Sequence, residues 1–157
     1  MSVRHVQQVA PRQLDASREA TITRYREVRA QTEALAPPLL PEDQVVQSMP
    51  DVSPTKWHRA HTTWLFETFL LARYSADWKP FHPDYGFLFN SYYEAVGPRP
   101  ARPNRGLLSR PSCADIARYR AHVDAAMERW VADADEATWT EAAPLVELGL
   151  NHEQQHQ

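Results

Sequence analysis

The sequence has a single cysteine, Cys113, which excludes an internal disulfide and suits a reducing cytosol. No apolar run approaches the roughly 20 residues that span a bilayer. The polar stretch from Met1 to Arg12 lacks the apolar core of a secretory signal. Neither charge sign dominates: Lys+Arg 17 against Asp+Glu 20 gives a formal charge of -3, which argues against nucleic acid or an anionic membrane as partner. Glycine is scarce, 4 residues against 13 prolines, and the prolines gather between candidate helices. No alternating apolar pattern is long enough for a sheet, and there is no internal repeat. These absences leave an all-α chain with stiff connections in a cytoplasmic setting. Its 157 residues suffice for one domain with a core.

Four amphipathic stretches are present. The first runs from about Gln13 to Leu35, with Leu14, Thr21, Tyr25, Val28, Thr32 and Leu35 on one stripe. Pro37, Pro38 and Pro41 end it. The second runs from about Pro54 to Ala72, with Ser53 as N-cap and Pro54 at the first helical position. The third runs from about Cys113 to Ala134. Ser112 and Asp115 form a capping box there, and Ile116, Tyr119, Val123, Met127 and Trp130 its apolar face. The fourth is expected from about Pro144 to Gln157. Four such helices predict a four-helix bundle.

The connection between the second and third helices, residues 73–111, is far longer than a usual bundle loop. Trp78, Phe81, Tyr85, Phe87, Phe89, Tyr92 and Tyr93 make it too aromatic for a solvated linker, so it is expected to pack on the bundle. Its second half carries Arg99, Arg102, Arg105 and Arg110 among prolines, with no acidic residue between Glu94 and Asp115. Such arginines suit a carboxylate ligand. A solvated loop, or pairing with acids elsewhere in the fold, is the structural alternative.

The residues that bear chemistry are histidines. His152 and His156, four apart, stack on one helical face together with Leu145, Leu148 and Gly149, and this spacing lets two imidazoles hold one ion. Spacing alone also admits a pair of hydrogen-bonded core histidines. A third candidate comes from the second helix, whose apolar face is Trp57, Ala60, Trp64, Leu65, Thr68 and Leu71. His61 lies in the middle of that face, and His58 lies at its edge as a partly exposed neighbour. Three neutral imidazoles accept Zn²⁺, Fe²⁺, Ni²⁺ or Cu²⁺, and ligand type alone does not name the metal. His5, His82 and His122 read as tail, turn and surface residues. Glu153 and Gln154 fall off the inward face, and Gln155 lies at its border.

The segment Ser53-Pro-Thr-Lys-Trp-His-Arg-Ala-His-Thr-Thr-Trp-Leu-Phe-Glu67 resembles the N-terminal DinB-like domain of the ergothioneine-biosynthetic sulfoxide synthases. Phe87-Leu-Phe-Asn-Ser-Tyr-Tyr-Glu94, Arg105-Gly-Leu-Leu-Ser-Arg-Pro-Ser112 and His152-Glu-Gln-Gln-His156 resemble it too. The resemblance implies a DinB-like four-helix bundle over residues 1–157 and a non-haem Fe(II) held by His61, His152 and His156. It implies joining of a thiol donor, cysteine or γ-glutamylcysteine, to trimethylhistidine (hercynine) with O2. By position Gln155 matches the residue that touches the trimethylhistidine ring, and Arg102 and Arg105 match the arginines that hold the donor's carboxylates. The family's C-terminal domain, which resembles the formylglycine-generating enzyme and supplies a catalytic tyrosine, is absent from these residues. No catalytic acid or base is therefore expected within this chain, and the chain alone is expected to be inactive. Two other functions stay open: a DinB-like metal-dependent thiol transferase, and a non-catalytic helical interaction module.

Overall fold

The structure, a computed structural model, describes residues 16–91, 93, 95 and 97–157. It is 68% helix, with no strand among the described residues. Four long helices form the bundle: α1 (Ala16–Ala34), α2 (Thr55–Phe66), α5 (Cys113–Asp133) and α6 (Glu136–His156). A π-helical segment, Glu67–Leu71, and the short α3 (Ala72–Tyr74) extend α2. Helix α2 packs on both α5 and α6, and α1 also packs on both. The expected Gln13 start and Leu14 of the first helix lie outside the described residues.

Local signals explain some helix ends and fail at others. The Ser112–Asp115 capping box forms as expected: Asp115 N–H donates to Ser112 Oγ at 3.1 Å, and Ser112 N–H donates to the Asp115 carboxylate at 2.9 Å. Ser53 does not cap α2. Pro54 occupies the cap position, and the Ser53 hydroxyl instead accepts from Arg105 at 2.9 Å. Helix α6 starts at Glu136, not near Pro144, because Asp135 caps it by accepting from Thr138 N–H at 2.9 Å. Pro144 sits inside the helix on an exposed position. Its missing N–H is tolerated because Trp139, Ala142 and Val146 bury one stripe through both sides of it.

The first stripe also differs from expectation. Leu35 is 45% exposed, whereas Arg18, Ile22 and Arg29 are buried with Tyr25 and Val28. Arg18 satisfies the C-terminal end of α5 by donating to Ala134 O at 2.7 Å. Gly149 fixes the approach of α6 to α2: a Cβ there would lie 2.6 Å from Phe66 Cε1. That close crossing brings the last turns of α6 alongside His61.

The long connection is tied down by α2's own side chains. Trp57 Nε1–H donates to Leu88 O at 3.1 Å, and Lys56 Nζ donates to Leu108 O at 2.8 Å. Glu67 accepts from Phe81 N–H at 2.9 Å and from the Tyr119 hydroxyl. Tyr85 in the short α4 (Tyr85–Leu88) and Phe89 are buried against Tyr119. Not all the aromatics follow: Phe87 and Tyr93 are exposed, Trp78 and Phe81 are half-buried, and Tyr92 is outside the described residues. No helix among the described residues is long and apolar enough to cross a membrane.

Candidate metal centre

His61 is 2% exposed on the core-facing side of α2. Its Nδ1 lies 2.7 Å from the Phe89 carbonyl. A carbonyl only accepts, so Nδ1 carries the proton and Nε2 keeps its lone pair. The ring is sandwiched laterally by Trp57 and Trp64, with centroids 4.5 Å and 5.5 Å away and near-parallel planes. The rings of His152 and His156 stand edge-on to His61 at 5.0 and 5.1 Å.

One ring nitrogen from each of His61, His152 and His156 lies within 4.8 Å of the others. No other group of three His, Cys, Asp or Glu among the described residues has this spacing. His152 Nε2 and His156 Nε2 are 3.2 Å apart. Two nitrogens bound cis to one ion at about 2.1 Å sit roughly 3.0–3.4 Å apart, so the pair fits a first-row divalent metal. Burial holds the His61 and His152 imidazoles below their ordinary pKa and takes His156 down to about 4, helped by its neighbour His152. All three are therefore neutral near pH 7, the form that coordinates.

These shifts give the metal-free protein a defined response to acid. His58, lowered to about 4 chiefly by burial, acts with His156. Below about pH 6.5 the unfolded chain takes up protons on these rings that the folded chain refuses until about pH 4, so stability present above 6.5 drains away across that window. Glu153, held to about 2, adds a second loss as pH falls from about 4.5 towards 2. Chelator-treated protein should show a urea midpoint that falls steadily from about pH 7 to 4. A midpoint flat from about pH 7 to 5 would contradict the shifts.

The three histidines line a cavity of about 560 Å³ with His58, Trp57, Ser91, Tyr93, Arg102 and Arg105, and with Asp51, Val52 and Ser53 from the loop before α2. Arg105 is 4% exposed. Its guanidinium lies 3.7 Å over the Trp57 ring, which in turn stacks on His61. Its partners are neutral: Ser53 Oγ at 2.9 Å and Ser91 Oγ at 3.2 Å, and Nε has none. No carboxylate among the described residues pairs with it. Arg102 donates to Asp51 O at 3.2 Å at the same wall.

Gln155 is not brought to this cavity; it is exposed. The reason is helical phase. The buried stripe of α6 is Ala142, Val146, Gly149, Leu150 and Glu153, with His152 and His156 along one border. Leu148, expected inside, is 58% exposed, and Gln155 shares its side.

Glu153, expected off the inward face, is 0% exposed. It accepts from Arg29 at 2.8 Å, Arg120 at 2.9 Å and Thr32 at 2.6 Å. Its signal was available in the spacing, since it follows Val146, Gly149 and Leu150 at helical steps.

A comparison with curated proteins finds none that matches. The description of the DinB superfamily fits residues 24–157, which include the second part of α1, the whole of α2, α5 and α6, the link and the three histidines. Domains of this kind often bind divalent metals. The chain belongs to the DinB superfamily.

Proposed function

We propose that this chain is the metal-binding half of a non-haem iron(II) sulfoxide synthase. The reaction joins a thiol donor, cysteine or γ-glutamylcysteine, to trimethylhistidine with O2. The observation that carries the reading is a buried arginine, with no carboxylate partner among the described residues, facing the same cavity as three neutral imidazoles. In this reading His61, His152 and His156 hold the ion. A bound iron(II) supplies open positions at which thiol, imidazole and O2 can meet.

The chain's own residues do the positioning. The Arg105 guanidinium, buried between hydroxyls, has no counter-charge among the described residues and is pulled down to about 10 by burial and by Arg102 and Arg99. A donor carboxylate supplies that missing charge and two further acceptors. Trp57 keeps the guanidinium plane fixed against the His61 ring, so the carboxylate and the metal stand on one wall. Arg102 extends that wall. A further domain, as in the family resembled, closes the cavity and supplies the catalytic tyrosine.

Arg105→Met should raise KM for the thiol donor roughly tenfold to a hundredfold, the cost of one charged hydrogen-bonded contact. Metal content and the urea midpoint should stay near wild type, and Arg105→Lys should recover part of the affinity. An unchanged KM would remove Arg105 from the donor site.

The reading itself is tested with the protein that carries this chain and its downstream domain. It is loaded with iron(II) and supplied with trimethylhistidine, either thiol donor and O2. Sulfoxide formation with matched oxygen uptake is expected. Thiol consumption without oxygen uptake assigns a transferase instead, and absence of both metal and turnover assigns an interaction module.

A further inference from the structure

We infer that His58 is a positioning residue: its Nδ1 accepts a hydrogen bond from the Nδ1–H of His156 and holds His156 in the tautomer whose Nε2 lone pair faces the ion. The inference rests on His61, His152 and His156 acting as the ligands.

The two Nδ1 atoms are 2.6 Å apart, with ring centroids 4.9 Å apart. At that distance one nitrogen carries a proton and the other a lone pair. The other side of the His156 ring decides which. Its Nε2 is turned towards His152 Nε2 at 3.2 Å, the shared centre of the trio. With the proton on Nδ1, His156 presents a lone pair to that centre. If His58 were the donor, the His156 proton would sit on Nε2 and block it.

The run is therefore His58, His156, metal centre. His61 has the corresponding arrangement, with the Phe89 carbonyl on its Nδ1. A ligating imidazole whose far nitrogen is held by an acceptor is fixed both in tautomer and in ring angle. His152 lacks this support: its Nδ1 is buried with no partner among the described residues. The His58–His156 contact also ties α6 to α2 at His156.

The test has two arms that do not need turnover. Long-range proton–nitrogen NMR of the metal-free protein near pH 7.5 reads the tautomer directly. His156 should be protonated on Nδ1, with Nε2 bare. His156 protonated on Nε2 in the wild type would overturn the inference.

The second arm is competition titration with Zn²⁺. His58→Phe should weaken affinity roughly 10- to 100-fold while one ion per chain is still bound, the scale of losing a supporting hydrogen bond. His58→Asn puts an amide oxygen near the position of Nδ1 and should recover most of the affinity. Wild-type affinity in folded His58→Phe, or a failure of His58→Asn to recover any, overturns the inference alone. If wild type takes up no ion, both this inference and the ligand assignment fall.

Discussion

His61→Ala is expected to abolish stoichiometric binding of a divalent metal, with a loss beyond the roughly 100-fold that bounds the removal of a supporting residue. His61 is the one histidine of the trio supplied by α2, so without it only the two α6 imidazoles are left. Two imidazoles from one helix hold an ion far less well than three converging from two helices, because no protein donor closes the opposite side. The substitution also leaves the Phe89 carbonyl without its donor, a cost of about 1–3 kcal/mol in a buried setting. The protein should stay folded but less stable. Metal content per chain after dialysis measures the first effect and a urea midpoint the second. His122→Ala, on the exposed side of α5, is the control and should change neither. Full retention of metal by folded His61→Ala would remove α2 from the site.

The second large effect lies beside the histidines. Glu153→Ala should cost about 3–5 kcal/mol of folding stability, because it removes the fully buried carboxylate on which two buried arginines converge and leaves each with one carboxylate, Asp124 for Arg29 and Glu33 for Arg120, both nearer the surface. Arg29 and Arg120 both close on the Glu153 carboxylate, and Arg29 also donates to Asp124 at 2.7 Å and Thr63 at 2.8 Å. One carboxylate thus ties α6 to α1 and α5, with α2 held through Thr63. Its central position is why attraction from both arginines outweighs burial and keeps the carboxyl at about 2. Replacing the whole cluster with apolar residues of similar volume should be far less harmful than removing Glu153 alone. Urea unfolding of Glu153→Ala beside Arg29→Met/Arg120→Met/Glu153→Leu distinguishes the two cases. A loss below about 1 kcal/mol in Glu153→Ala would mean that the arginines find other partners.

How much could be read in advance depended on how local each signal was. The Ser112–Asp115 box was legible because both of its bonds close within three residues. The His61 face was legible because apolar residues recur around it at helical steps, and the structure buries Trp57, Ala60, Trp64 and Leu65 with it. The start of α6 was not legible. Pro144 has the form of a first-turn residue, and the competing Asp135 cap carries no stronger mark. Glu153 falls off the inward face only when Leu145 and Leu148 define that face; its spacing from Val146, Gly149 and Leu150 marks it as inward. Its partners Arg29 and Arg120 lie 124 and 33 residues away in sequence. Leu148 misled in the opposite sense: counted as inward, it rotated the assumed face and brought Gln155 to its edge. The acceptor behind His61, the Phe89 carbonyl, belongs to the main chain and leaves no trace in residue type.

The central claim is that His61, His152 and His156 form one metal centre, and X-ray absorption at the metal edge of the loaded protein tests it most directly. The account predicts one divalent ion per chain with three imidazole ligands near 2.1 Å, light atoms in the other positions and no sulfur from Cys113. A sulfur shell in the protein without added thiol, or two or fewer imidazoles, would contradict it.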